Sequence, residues 1–337
     1  MLYNAENSPM NLVFFEDCVQ HLTRVARTLR QERGNMLLVG YGGSGRRSMA
    51  RLGASVNEIG TFTIEITKSY REKEFHDDIK AMLMKAGLQE EKVQFLFSDT
   101  QIVLESFLED INNLLNSGEI PNLFPADEKT AVCEEIEGRA REAGQGNGRD
   151  QQFAYFIAEC RQRLHIVLAF SPVGEKFRDR CRQFPSIINC CTMDWYNLWP
   201  REALYSVASR SYEENKGDLG LVEEVSALAE ITVYIHNSVT EYSEKFYNEL
   251  RRRNYTTPTS YLELVKTFVQ MLKHQKEVVP GKMFRYEAGL KKLAETNTMV
   301  AQLQKDLVVL RPEITEKEKR VNEMVEELKR ETAIASD

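Results

Sequence analysis

A glycine-rich turn between an apolar segment and a helix-forming segment most constrains the fold of this chain. The apolar residues Met36–Val39 predict a buried strand, and the turn Gly40–Gly45 follows it directly. The polar residues Arg46, Arg47 and Ser48 then open the next segment. In a strand–turn–helix unit of this kind, backbone N–H groups and the helix N-terminus converge on one place and bind phosphate oxygens. The pattern therefore predicts a phosphate-binding loop at the end of a parallel strand.

The turn keeps the glycine spacing of a P-loop and departs from it at the next two positions. The pattern G-x-x-x-x-G-K-[S/T] places its glycines at Gly40 and Gly45. Arg46 replaces the lysine and would keep a positive charge near the β- and γ-phosphates, with a different shape. Arg47 replaces the hydroxyl residue that normally holds Mg²⁺, and it could pair with phosphate oxygens itself. We therefore predict ATP or ADP as the ligand and leave the need for Mg²⁺ open.

A second apolar segment ends in an acid, as a nucleotide site of this class requires. Val93–Phe97 predicts a strand, and Ser98 and Asp99 follow it. At the carboxyl end of that strand, Asp99 would lie behind a metal and hold it weakly, through water. The next residue, Thr100, cannot act as a general base, so we predict binding with weak or absent hydrolysis. The predicted nucleotide-binding residues are Gly40, Gly42, Gly43, Ser44, Gly45, Arg46, Arg47, Ser48 and Asp99.

The order of apolar segments predicts an α/β fold with a five-stranded parallel sheet and helices on both faces. Most of these segments are continuously apolar, which is typical of strands that are covered on both faces. Beyond Pro200 the strand pattern stops, so we predict an α/β domain over residues 1–200 and a small helical domain over residues 201–280. The predicted strands are Met36–Val39, Thr61–Ile66, Val93–Phe97, Ile166–Phe170 and Ile187–Thr192.

The remaining segment, residues 281–337, has a heptad pattern. Apolar positions between Tyr286 and Leu328 are spaced alternately by four and three residues, with one irregular step. A seam of this length needs a partner helix. Pro280 with the glycine after it predicts a break or kink where the segment begins. The alternative is a C-terminal helix that lies on its own domain, which Pro312 within the seam favours.

Composition argues against several classes of function. Forty-four basic and fifty-one acidic residues give a formal net charge of -7, which is the wrong sign for a dedicated binder of nucleic acid or of an anionic membrane. No apolar run approaches the roughly 20 residues that a membrane span needs. The first residues lack a signal-peptide pattern, and the six cysteines lack metal-site spacing. We therefore predict a cytoplasmic protein with reduced thiols.

Several motifs taken together resemble an AAA+ module of a dynein heavy chain. The resemblance covers nearly the whole chain, and within this family the chain is similar to the fourth module of axonemal dyneins. It implies a regulatory or structural nucleotide-binding module of a microtubule motor of cilia and flagella. The motifs that carry it are Gly42–Arg46, Ser98–Ile102, Ser106–Asn113, Pro121–Phe124, Leu164–Pro172, Phe177–Pro185, Asp194–Leu204 and Thr257–Leu264.

The resemblance also implies roles for particular residues. Ser171 would occupy a sensor position, where its short reach makes it a further weakened catalytic part. Arg180 and Arg182 would reach the nucleotide of a neighbouring module, although a solvated basic helix face explains them equally well. Residues 12–15 would pack on adenine, with plain core packing as the alternative. Thr259 lies near the place of a second sensor arginine, so no such arginine is evident.

The implied partners are the neighbouring AAA+ modules of the same heavy chain, a returning antiparallel stalk helix, and a microtubule at the stalk tip. The implied location is the cytoplasm and the axoneme of a cilium or flagellum. Two other hypotheses stay open. One is an independent P-loop ATPase or kinase, whose Mg²⁺ chemistry Arg47 and Thr100 both oppose. The other is a coiled-coil scaffold with a vestigial P-loop.

Overall fold

The computed structural model describes residues 2–10, 12–146, 148–220 and 224–334. The chain divides into two compact units, Met1–Phe268 and Val269–Asp337. The first unit contains the sheet and most of the helices, whereas the described residues of the second all belong to one helix. Within the described ranges, no helix is both long enough and apolar enough to cross a membrane. The predicted domain boundaries at 200 and 280 stay predictions.

The first unit is built on a five-stranded sheet in which every neighbouring pair is parallel. Its strand order is β2-β3-β4-β1-β5. All residues of β1, β3 and β4 are buried, because helices cover both faces of these strands. This architecture confirms the predicted α/β fold class. The strands are β1 Met36–Gly40, β2 Gly60–Phe62, β3 Val93–Ser98, β4 Leu164–Phe170 and β5 Thr192–Tyr196.

The helices of the described ranges include a 77-residue helix at the C-terminal end of the chain. Helix α3 follows the glycine-rich turn, and α2 packs against it. A single 3₁₀ turn, Asp99–Gln101, follows β3. The helices are α1 Leu2–Glu6, α2 Glu16–Leu29, α3 Arg46–Val56, α4 Glu72–Gly87, α5 Ser106–Asn116, α6 Ala126–Glu142, α7 Arg149–Arg163, α8 Lys176–Gln183, α9 Ser186–Asn189, α10 Arg201–Glu214, α11 Lys216–Leu219, α12 Val225–Leu250 and α13 Pro258–Ile334.

Alternate residues of β1 contribute to two separate hydrophobic cores, one on each face of the sheet. Leu37 and Val39 belong to the larger core, which includes residues of α4, α5 and α7. Met36 and Leu38 belong to the smaller core, which α2 and α3 complete. Because strand side chains alternate between faces, β1 is fixed from both sides. The loop that follows β1 therefore starts from a firmly held backbone.

Two predicted strands differ from the structure. The strand predicted at Thr61–Ile66 is the shorter β2, and β5 begins where the strand predicted at Ile187–Thr192 ends. Ile187 instead lies in the short helix α9, which starts after a proline, and its side chain is fully buried in the larger core. The apolar pair at 187 and 188 does not distinguish a helix from a strand, because short buried helices and short buried strands look alike in sequence.

The predicted break at Pro280 is wrong, because α13 continues through both Pro280 and Pro312, whereas a kink there stays a prediction. A proline within a helix removes one backbone hydrogen bond and crowds the preceding turn. Here the residues around Pro280 are mostly exposed, so water can hydrate the carbonyl group that loses its donor. Thr257 followed by Pro258 predicts a helix start, and α13 does begin at Pro258. The backbone N–H of Ser260 donates to Thr257 Oγ1 at 3.3 Å, in front of Pro258 at the first helical position.

The contact between α2 and α3 leads to a stability prediction. A Cβ added at Gly53 of α3 would lie 2.5 Å from Val25 Cγ1 and 3.2 Å from Val25 Cβ of α2, so the two helices would have to shift. We expect Gly53→Ala to lower the free energy of unfolding by about 1–3 kcal/mol through overpacking. The matched control is Gly138→Ala in α6, where nothing lies within 4 Å of the added carbon.

At Gly138 the gain in helix propensity should stabilise the protein by about 0.5–1 kcal/mol. Urea denaturation of the two variants beside the parent protein measures both effects. Equal stability of the two variants would contradict this account of the α2–α3 contact.

Candidate functional site

A cavity of about 740 Å³ opens where the strands β1, β3 and β4 end. Its wall combines the loop after β1, the turn after β3, the residue after β4 and the segment after β5, together with parts of α2 and α13. Gly40 ends β1 just before this loop and is not part of the wall. Of the predicted nucleotide-site residues, the wall contains Gly42, Gly43, Ser44, Gly45, Arg46, Arg47, Ser48, Asp99, Thr100 and Ser171.

The loop backbone requires glycine at two of these positions. Gly43 and Gly45 have φ angles of 80° and 93°, in the left-handed region that side chains disfavour. A side chain at Gly43 would also collide with Thr259 at the start of α13. Gly45 directly precedes the first turn of α3, whose N–H groups have no partner within the helix. The loop thus presents backbone donors to the cavity.

Two buried polar atoms of the loop have no hydrogen-bond partner among the described residues. They are Ser44 Oγ and Arg46 Nη1. Arg46 donates from Nη2 to the carbonyl oxygen of Tyr41 at 3.3 Å. Burial lowers the pKa of Arg46, and the charge of Asp99 opposes that shift. Unpaired buried donors are costly, and a bound phosphate would satisfy them, so these residues fit an anionic ligand.

Arg47 is placed differently from its neighbour. It lies on the first turn of α3 and on the cavity wall, but it is exposed to solvent. Its guanidinium is therefore free to adopt several positions. Whether it serves the phosphates stays a prediction.

Asp99 is held by the end of the adjacent strand. Its Oδ2 accepts a hydrogen bond from the backbone N–H of Ser171 at 2.8 Å. This bond joins the predicted metal-facing acid to the predicted sensor position. In the described part of the chain, no group of three or more histidine, cysteine or carboxylate residues is arranged to hold a metal ion. Asp99 is thus not part of a ready-made metal cluster among the described residues.

The turn after β3 is fixed by a side chain that sequence analysis missed. Gln101 Oε1 accepts from the backbone N–H of Ser98 at 2.8 Å and from its hydroxyl at 2.9 Å. Gln101 Nε2 donates to the carbonyl oxygen of Ile64 at 2.7 Å. Thr100 Oγ1 lies 2.9 Å from Ser98 Oγ. Because the Ser98 hydroxyl already donates its hydrogen to Gln101, the Thr100 hydroxyl is the donor of this second bond. The spacing Ser-x-x-Gln is that of a capping box and could have revealed this turn.

A second group that sequence analysis missed lies on the wall formed by α2 and β5. His21 and Arg24 of α2 both pair with the buried carboxylate of Asp194, at 2.8 and 2.9 Å. The imidazole of His21 stacks on Tyr196 with ring centroids 3.9 Å apart. About 170 residues separate the partners along the chain, and no local pattern in the sequence indicates the pairing.

Part of the cavity wall is apolar. Leu12, Val13 and Phe15 lie on its wall, so the segment predicted to face adenine is on the cavity. Phe15 packs edge-on against Trp199, with ring centroids 5.8 Å apart. A wall that combines apolar side chains with a polar loop suits a ligand with a flat base and a charged tail.

The two predicted inter-module arginines lie away from this cavity. Arg180 forms a two-pronged ion pair with Glu105, at 2.6 Å for the shortest contact, and its side chain is mostly buried. Arg182 is 80% exposed and lies 3.7 Å from Asp179. Only Arg182 therefore extends into solvent, and a role toward a neighbouring module stays a prediction for both.

A parallel sheet of this order, with a glycine loop after β1 and an acid after β3, defines a P-loop nucleotide-binding domain. Comparison with known families gives the particular one. The family described as "P-loop containing dynein motor region D4" matches residues 10–271. The chain belongs to this family, which confirms the resemblance seen in its sequence.

Relatives among characterised proteins agree. The chain is 47% identical to human dynein axonemal heavy chain 6 over 97% of its own length and 8% of that protein. It is 46% identical to the Chlamydomonas reinhardtii dynein-1-beta heavy chain of the flagellar inner arm I1 complex, over 89% of this chain and 7% of that one. The chain thus spans less than a tenth of these relatives. Among solved structures, Hsp104 of S. cerevisiae in its casein complex has a TM-score of 0.45 and 11% identity, over 77% of this chain and 38% of that chain.

The turn after β3 generates a prediction. Gln101→Met keeps the side-chain volume but removes three hydrogen bonds and leaves partly buried backbone groups without partners. We expect the free energy of unfolding to fall by about 1–3 kcal/mol. The matched control, Thr100→Val, removes one bond between hydroxyls at an exposed residue and should cost less than about 1 kcal/mol. Thermal denaturation of both variants tests this order, and a control as damaging as Gln101→Met would contradict it.

Proposed function

We propose that this chain binds an adenine nucleotide, ATP or ADP, as a regulatory or structural module of a dynein motor, and that it hydrolyses the nucleotide slowly or not at all. The observation that carries the proposal is the pair of left-handed loop glycines, Gly43 and Gly45, together with the cation of Arg46 on the cavity wall. They lie beside free N–H groups at the start of α3. A phosphate group supplies the acceptors that all of these donors lack.

Slow hydrolysis follows from the groups around Asp99. A base or orienting group for the attacking water is expected directly after the acid, and Thr100 there has no carboxylate. Its hydroxyl donates to Ser98. Ser171 contacts Asp99 through its backbone N–H, and its short side chain has limited reach. Losing one positioning group commonly reduces the rate by about 10²–10³, so several such losses leave little turnover.

Binding of the nucleotide should depend on Arg46. Arg46→Ala removes the half-buried cation of the loop, so we expect ADP affinity to fall by about 10- to 100-fold, as for one charge-assisted hydrogen bond. Arg182→Ala is the matched control, because Arg182 is exposed and lies off the cavity wall. Isothermal titration calorimetry measures both affinities.

Phosphate release from the unsubstituted chain should be slower than about 1 s⁻¹, the lower end for working enzymes. Faster turnover would favour the independent ATPase. Absence of any nucleotide binding would favour the scaffold with a vestigial P-loop.

We also propose that Arg47 provides part of the counter-charge that Mg²⁺ provides in other P-loops. ADP affinity should then be nearly the same in EDTA and in excess Mg²⁺. Arg47→Thr should weaken metal-free binding by about 1.5–3 kcal/mol, the value of one charge-assisted pair, and should introduce a metal dependence. Calorimetric titrations of both proteins in both buffers check this. A strong metal dependence in the unsubstituted protein would mean that the exposed Arg47 does not serve the phosphates.

The names of the relatives support the wider setting of the proposal. Axonemal and flagellar dynein heavy chains suggest that this module works in a microtubule motor of the axoneme, beside other AAA+ modules of one heavy chain. Arg182, and Arg180 once released from Glu105, are the candidate contacts to a neighbouring module. The microtubule would be bound at a stalk tip beyond this segment.

The helix α13 supports the proposed stalk. Between Tyr286 and Leu328 its apolar seam is exposed, and Leu290, Leu307 and Leu328 each expose more than half of their area. An unpaired seam of this length is costly in water, so we propose a returning antiparallel helix as its partner. Residues 335–337 of the predicted stalk segment lie outside the described residues.

Without that partner, amides beyond Gly281 should exchange with solvent quickly in this chain. Hydrogen exchange followed by mass spectrometry compares them with the amides of β1, which lie at the centre of the sheet. Strong protection of the helix in a demonstrated monomer would favour a helix that packs on its own domain instead.

A further inference from the structure

The wall formed by α2 and β5 carries a polar atom to which neither phosphate binding nor hydrolysis assigns a role. His21 lies on the cavity wall, and its side chain is 12% exposed. Its Nδ1 is occupied by Asp194 at 2.8 Å. Its Nε2 has no partner among the described residues and is not one of the partnerless atoms sealed from solvent. His21 thus contributes to the cavity wall, and its Nε2 is neither hydrogen-bonded within the described residues nor sealed from solvent.

The neighbours of His21 decide whether Nε2 accepts or donates. Asp194 is 2% exposed, and its other oxygen accepts from Arg24 Nη1 at 2.9 Å. Next to a permanent cation, Asp194 is an ionised carboxylate that can only accept, so Nδ1 of His21 must carry a proton. In a neutral imidazole that donates from Nδ1, Nε2 is a hydrogen-bond acceptor.

The position of this acceptor is fixed before any ligand arrives. The imidazole is nearly coplanar with the ring of Tyr196, at an interplanar angle of 11°. Tyr196 ends β5 and pairs in register with Gly40, which ends β1 just before the phosphate loop. The stacking partner of His21 is thus anchored to the same strand that carries the loop, and Asp194 holds the imidazole from the side.

An acceptor in this cavity selects a particular part of a nucleotide. The phosphates have only acceptor oxygens, and the cations on the wall, Arg24, Arg46 and Arg47, have only donors for them. The donors of ADP lie on its nucleoside: the exocyclic amine of adenine and the ribose hydroxyls. We infer that His21 Nε2 accepts a hydrogen bond from the nucleoside part of the bound nucleotide and thereby contributes to its selection. This inference rests on the proposed nucleotide binding.

The test uses a variant that deletes this acceptor and keeps the pairing with Asp194. In His21→Asn the side-chain amide can still donate to Asp194, but nothing occupies the place of Nε2. Calorimetry on the full chain measures ADP, inosine diphosphate, which has a carbonyl oxygen in place of the amine, and 2′-deoxy-ADP. We expect the unsubstituted protein to prefer ADP over one of the two analogues by about threefold to tenfold, as for one uncharged hydrogen bond.

His21→Asn should weaken ADP binding by the same factor and leave the disfavoured analogue unaffected. If inosine diphosphate is that analogue, the contact is with the amine; if 2′-deoxy-ADP is, the contact is with the ribose. The matched control is His76→Asn, which alters a similar histidine–aspartate pair, His76 with Asp110 at 2.9 Å, away from the cavity. It should leave all three affinities unchanged even if it lowers the melting temperature.

Other outcomes overturn the inference. If His21→Asn leaves the affinity for ADP unchanged, the inference is wrong and the proposed nucleotide site stands. The same holds if the variant lowers the affinity for all three nucleotides equally. No binding of any nucleotide by the unsubstituted chain would overturn the proposed function as well. Should His21→Asn fail to fold, His21→Phe keeps the ring stacked on Tyr196, lacks both nitrogens, and should give the same change in the ratio of affinities.

Discussion

The site depends on the burial of β1 on both of its faces. Leu37 and Val39 pack into one core, and Met36 and Leu38 pack into the other, while β4 and β5 flank the strand on its two edges. Because β1 is fixed in every direction, its last residue has a fixed position. The glycine loop and α3 continue from that residue, so the phosphate cradle needs no ligand to organise it. The packing of Gly53 against Val25 then fixes the direction of α3.

The cavity that results is chemically mixed. Its wall includes donors and cations for an anion, aliphatic and aromatic side chains, and the imidazole of His21. Such a combination favours a ligand that itself has a charged and a flat apolar part. The departures from an active P-loop lie both at positions that would promote hydrolysis, Thr100 and Ser171, and at the phosphate-facing positions Arg46 and Arg47.

Local patterns in the sequence were enough to predict much of this structure. Glycine spacing placed the loop, apolar runs placed β1, β3 and β4, and an acid at a strand end placed Asp99. Prediction failed where the decisive interaction is distant or where two structures share one pattern. Ile187 is apolar because its side chain lies in the core, and the core would require an apolar residue there in a helix or in a strand. The pairing of His21 with Asp194 joins two elements far apart in the chain, and Pro280 lies where solvent tolerates a lost hydrogen bond.

The turn after β3 bears on how readily hydrolysis could return during evolution. A glutamate at position 100 would lack the hydroxyl that donates to Ser98, and it would still belong to a 3₁₀ turn whose backbone Gln101 ties to Ile64. The new carboxylate would have to function from a turn whose hydrogen bonds suit threonine. Under the proposed function, restoring hydrolysis would therefore need substitutions both in this turn and at Arg47, because reversal of either change alone leaves the other in place.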